Sequence, residues 1–140
     1  MNFVLDNSVV MRWFFGDGDK SDLGYSLAVL DALGRSQAIV PTIWSLEVAN
    51  VIARAEAKGL VLEARSAEFL EMLGGLDIVE DHLGGSSVLS RVLDTARRYF
   101  LPAYDAAYIE LALRTGLPLA TLDVELKMAA QQSGIATLLV

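Results

Sequence analysis

Five short apolar runs alternate with longer stretches of helical period along this chain, and that alternation decides the class of fold. The runs are Phe3–Leu5, Ala38–Pro41, Leu76–Glu80, Pro118–Leu122 and Ile135–Val140. Between Asp22 and Arg35 the apolar residues Leu23, Leu27, Leu30 and Leu33 recur at helical spacing. The same reading predicts helices over Val9–Phe15, Thr42–Lys58, Glu63–Leu73, Asp105–Thr115 and Val124–Ser133. One more runs from Ser86 or Ser87 to Tyr99 or Phe100. Strands separated by helices pair in parallel and are covered on both faces. The expected fold is therefore α/β, a mostly parallel sheet in a single domain over residues 1–140. No internal repeat, linker or low-complexity tract interrupts it.

Local punctuation agrees. Asn7 or Ser8 is expected to cap the first helix, and Gly59, Gly74-Gly75, Gly116 and Gly134 stand where helices should stop. Gly84-Gly85 marks a further break, and Pro102 another. The polar stretch Gly16–Asp22 has the composition of a calcium loop without its glycine spacing or distal glutamate, so it reads as a solvated loop.

Four carboxylates stand out. Asp6 ends the first strand and Asp123 ends the fourth, so both belong at the carboxyl edge of a parallel sheet, where open α/β folds bind ligands. Asp105 opens the helix leading to that fourth strand. Glu47 begins a narrow polar seam, with Asn50 and Arg54, on an otherwise apolar helix that follows the second strand. Each acid alone has an ordinary explanation, since aspartate caps helices and glutamate solvates their faces. Four ordinary roles need not converge on one edge, whereas four ligands must.

Such a set suits a hard divalent cation, which takes carboxylate oxygen and water and can activate a hydroxide near neutral pH. Ser8 and Thr121 flank the acids and are read either as hydroxyls that orient a carboxylate or a metal-bound water, or as local caps; Asn50 is a third candidate for orienting an acid. Arg12 and Arg54 are weaker candidates for substrate phosphate, with ordinary surface arginines as the alternative. The single histidine, His82, lies in a loop far from the acids in sequence, and cysteine is absent. Imidazole- and thiol-based nucleophilic catalysis is therefore unsupported.

The net charge of −7 is unusual for a nucleic-acid binder, and the 11 basic residues are scattered. Clustered acids neutralised by metal reconcile that charge with a polyanionic substrate. The absence of cysteine fits a reducing cytoplasm, and neither a signal peptide nor a membrane-spanning run is expected.

Four segments carry a family resemblance: Leu5-Asp6-Asn7-Ser8-Val9, Leu46-Glu47 through Asn50, Tyr104-Asp105 through Tyr108 and on to Ala112, and Leu119 through Thr121 to Asp123. In this order and spacing the chain resembles the PIN-domain nucleases over its whole length, and most of all the VapC-type toxins of toxin–antitoxin pairs. The resemblance implies a three-layer α/β/α domain with five strands in the order 3-2-1-4-5. It implies an endoribonuclease dependent on Mg²⁺ or Mn²⁺, leaving 5′-phosphate and 3′-hydroxyl ends on RNA. Carried over by position, Asp6, Glu47 and Asp105 would be metal ligands, and Asp123 would complete the catalytic cluster directly or through water. A cognate antitoxin and a homodimer are the implied partners. The rival readings are a catalytically inactive PIN-like protein-binding module, a PIN nuclease of RNA processing that is not a toxin, and a phosphotransfer domain on a similar sheet.

Overall fold

In the computed structural model, which describes residues 1–82 and 86–140 (residue 86 by its backbone alone), four short strands form one parallel sheet. The elements run β1 (Phe3–Leu5), α1 (Asn7–Phe15), α2 (Lys20–Ala32), β2 (Ala38–Val40), α3 (Ile43–Ala57), α4 (Glu63–Gly74), β3 (Ile78–Glu80), α5 (Ser86–Tyr99), α6 (Ala103–Thr115), β4 (Leu119–Ala120) and α7 (Val124–Ser133). The sheet order is β3-β2-β1-β4. Phe3 pairs with Ala38 on one side of β1, and Leu5 pairs with Ala120 on the other. The expected break at Gly84-Gly85 lies outside the described residues.

β1 is the central strand, and its three residues are wholly buried. An apolar run without alternation is what burial on both faces requires. From β1 the chain steps outward to β2 and β3, then returns across the sheet to β4. Right-handed crossovers put the connections of the two directions on opposite faces. The packing agrees: α1 rests on α2 and α3, while α6 rests on α5 and α7. The direction reverses between β1 and β4, so the crevice beyond their carboxyl ends is the switch point of this sheet.

Two expectations change. The sheet has four strands rather than five, since Ile135–Val140 contributes only a parallel bridge from Thr137 to Leu119, on the outer side of β4. Leu139 and Val140 beyond it are exposed, so nothing holds a longer strand in register. Asn7 and Ser8 do not cap α1; they lie inside it, and Asp6 takes the cap position without a side-chain cap hydrogen bond. The Ser8 hydroxyl is engaged elsewhere, as described below. The loop expected over Gly16–Asp22 is shorter, because α2 begins at Lys20 and Asp19 caps it by accepting from the Asp22 N–H at 2.7 Å.

Candidate functional site

Asp6 stands at the switch point. It follows β1 directly and is 7% exposed, a costly place for a carboxylate. Two hydroxyls offset that cost. Ser8 Oγ and Thr121 Oγ1 each donate to Asp6 Oδ2 at 2.6 Å. The backbone holds these hydroxyls in turn: Leu122 N–H donates to Ser8 Oγ at 2.9 Å, and Asp123 N–H to Thr121 Oγ1 at 3.0 Å. β1 and the end of β4 are thus stitched together through one carboxylate oxygen. Oδ1 of Asp6 receives no side-chain donor among the described residues, and the buried Oδ1 of neighbouring Asn7 has no partner either.

Glu47 comes from the first half of α3 and is half-buried. Its partner is Tyr108 on α6, whose hydroxyl donates to Glu47 Oε1 at 2.6 Å. Tyr108 is completely buried, and its Oη also faces the Asn7 backbone N–H. Asp105 lies in the first turn of α6, where Pro102 occupies the cap position. Asp123 is exposed and accepts from Leu126 N–H at 3.0 Å, a true helix cap for α7.

The four acids feel one another. Burial, then Asp123, pushes the Asp6 carboxyl up from the usual aspartate range, against the lowering effect of its two hydroxyl donors. Glu47 is raised by burial and by the charges of Asp6 and Asp105, against the Tyr108 hydrogen bond. Asp105 is pushed up to about 6 by burial, then by Asp123, Asp6 and Glu125. The Tyr108 phenol is pushed far up, by burial first and then by Asp6 and Glu47. Asp6, Glu47 and Asp105 all hold their protons more tightly, partly through the charges of neighbouring acids, which marks a region of negative potential.

The acids do not stand as a finished cage. Among the described residues no group of three or more His, Cys, Asp or Glu is arranged to hold a metal ion. Like charges repel, and here three of the four turn to a hydroxyl or an amide instead of to each other. What the edge offers is an all-oxygen donor set of acids and hydroxyls, with Asp6 Oδ1 free of side-chain donors. That composition fits Mg²⁺ or Mn²⁺, which prefer hard oxygen ligands and retain water.

The remaining candidates fall outside this set. Asn50 and Arg54 are exposed on α3, and Glu47 takes its hydrogen bond from Tyr108 rather than from Asn50. Arg12 pairs with Asp17 at 2.6 Å. His82 is exposed. The sequence reading missed the role of Tyr108, although it stands one helical turn from Asp105. It also missed Glu125, whose spacing of two from Asp123 was a visible signal.

The family model described as PIN domain matches residues 3–131, and the chain belongs to the PIN domain family. PIN domains are generally nucleases and typically use divalent metals. Solved structures agree on the fold. VapBC2 from Rickettsia felis, bound to a DNA fragment from their promoter, matches with a TM-score of 0.69 and 11% identity over 99% of this chain and 98% of that one. FitAcB from Neisseria gonorrhoeae matches with a TM-score of 0.63 and 17% identity over 99% and 97% of the two chains. A toxin–antitoxin complex from Klebsiella pneumoniae matches with a TM-score of 0.56 and 19% identity over 86% of each chain. Comparison with curated proteins gives no match.

Proposed function

We propose that this chain is a Mg²⁺- or Mn²⁺-dependent endoribonuclease, the toxin of a VapBC-type pair held in check by a cognate antitoxin. The observation that carries the reading is that Asp6 at the switch point of a PIN-domain sheet has acids close enough to act on one another's charge: Asp123 raises Asp6 and Asp105, and Asp6 and Asp105 raise Glu47. Asp6, Glu47 and Asp105 would hold the cation, with Asp123 joining directly or through water. A divalent ion in such a site supplies a hydroxide near neutral pH and polarises a phosphoryl oxygen.

The chain's own residues prepare the ground. Ser8 and Thr121 fix Asp6 by taking one of its oxygens, leaving the other for a ligand. Tyr108 fixes Glu47 from the opposite helical layer. Burial and neighbouring acids raise Asp6, Glu47 and Asp105, so a cation bound among them would relieve their repulsion. The toxin–antitoxin complexes among the neighbouring structures support an antitoxin partner; RNA as substrate and a homodimeric state rest on the family resemblance alone. Among the described residues no helix is long and apolar enough to cross a membrane.

The absence of a ready-made cage among the described residues favours one rival, a PIN-like module that binds protein without cutting RNA. Purified protein incubated with total RNA separates the two readings. The nuclease reading requires cleavage with Mn²⁺, none with EDTA, and none from Asp6→Asn. Cleavage that persists in EDTA, or a protein inert with every divalent ion, would sink it.

A further inference from the structure

From the cleft between α5 and α6 we infer a track for single-stranded RNA that leads to the carboxylate edge; this rests on the nuclease reading and deepens it. The cleft measures about 1080 Å³. It is lined by Arg91, Arg97, Arg98 and Arg114 together with Asp94 and Glu110, and Asp81 also binds Arg114. In a chain of net charge −7 with 11 basic residues, this is a pronounced gathering of positive charge.

The arginines are not equivalent. Arg114 is saturated, donating to Glu110 at 2.7 Å and to Asp81 at 2.7 Å. Arg97 lies 3.5 Å from Asp94. Arg91 and Arg98 have no acidic partner among the described residues, so they are the two positioned to take phosphate. A second copy of this acidic chain gains less from that charge than a polyanion does, and the cleft favours the polyanion.

An independent observation lies at the end of the cleft nearest the active edge in sequence. Tyr99 lines the cleft. Phe100, the next residue, is 93% exposed and sits in the left-handed region at φ +55°. It is the one residue other than glycine with positive φ among the described residues. A side chain held at a strained backbone position while packing on almost nothing contributes nothing to the fold that a glycine would not. Tyr104, also largely exposed, immediately precedes Asp105. Exposed aromatics beside a cationic groove are how proteins bind single strands without regard to sequence: bases stack on the rings and phosphates follow the arginines. Along the chain, Phe100 and Tyr104 lie between the cleft-lining end of α5 and Asp105, and the inferred track follows that order.

The test is fluorescence anisotropy with a labelled single-stranded RNA of twelve or so nucleotides, in EDTA so that binding is read without cleavage. The proteins are the wild type, the double variant Arg91→Ala/Arg98→Ala, and Phe100→Gly. The double variant should bind about tenfold more weakly, with the salt slope reduced by about 0.7 for each arginine lost. Phe100→Gly should also bind several-fold more weakly, roughly as loss of one stacked base requires. Its melting temperature should be unchanged or higher, because glycine relieves the strained φ; misfolding would lower it. Mn²⁺ binding should be unaffected in all three. RNA affinity equal across the three proteins, or no RNA binding by the wild type, overturns the track, and the Mn²⁺ titration then judges the nuclease reading separately. Variants that change only the sedimentation coefficient, from dimer to monomer, also overturn it and assign the cleft to contact between copies.

Discussion

Tyr108 and Glu47, 61 residues apart and on helices from opposite layers, meet over the sheet edge in a 2.6 Å hydrogen bond. The phenol is buried and the carboxylate half-buried, so the bond is strong and orients the acid. Tyr108→Phe removes only the hydroxyl. It should cost about 1–2 kcal/mol of stability in urea unfolding. Its sharper effect is on Glu47: a Mn²⁺ titration should show affinity reduced by about 10- to 100-fold, the usual consequence of losing a support behind a ligand. An unchanged Mn²⁺ affinity would leave Tyr108 as packing alone.

Asp105→Asn separates a ligand from a structural acid. Asp105 accepts no hydrogen bond among the described residues and is surrounded by other acids, so its charge destabilises the metal-free fold. The variant should melt at the same temperature or higher without metal, and should lose most of the increase that Mn²⁺ gives the wild type. A large destabilisation of the metal-free variant would mean that Asp105 serves the helix instead.

The raised acids also set a pH dependence. Asp105 is pushed up to about 6 in the fold from an ordinary value near 3.8, and Asp6 and Glu47 are raised as well. Between those values the folded state binds more protons than the unfolded chain, so stability falls as pH rises. Metal-free protein should therefore lose stability from about pH 4 to pH 6, measured by denaturant unfolding at fixed ionic strength. Asp105→Asn should flatten the decline, and stability that rises across this window in the wild type would show that the acids are stabilised, not crowded.

Away from the edge, Arg114 bridges Glu110 on its own helix and Asp81 just beyond β3. Glu110 is 5% exposed, so removing its partner strands a buried charge. Arg114→Met should cost ~3 kcal/mol. The double variant Arg114→Met/Glu110→Leu should recover most of that, because the more deeply buried charge, Glu110, is removed with its partner; Asp81 is left without Arg114, and failure to recover would place the cost in that link.

Legibility followed range. The alternation of runs gave the parallel sheet and the place of Asp6 and Asp123, because strand ends are local features and a parallel sheet aligns them. The hydroxyls of Ser8 and Thr121 were visible as neighbours of acids, although their convergence on one Asp6 oxygen depends on β1 and β4 being adjacent. Tyr108 was hidden because a helical tyrosine among apolar residues looks like core, and only the third dimension shows its hydroxyl reaching α3. The Arg114 link to Asp81 spans 33 residues and has no local signal. The terminal run read as a strand, yet strand propensity does not supply a partner, and one bridge is all it forms.

The central claim is that these four acids make one site for one kind of cation. Calorimetric titration of Mn²⁺ into the wild type, Asp6→Asn, Glu47→Gln and Asp105→Asn tests it most directly. Wild-type protein should bind Mn²⁺, and each single change should weaken that binding by about tenfold or more, with the folded state intact in all four proteins. No heat of binding to the wild type, or a site that survives all three changes, would contradict it.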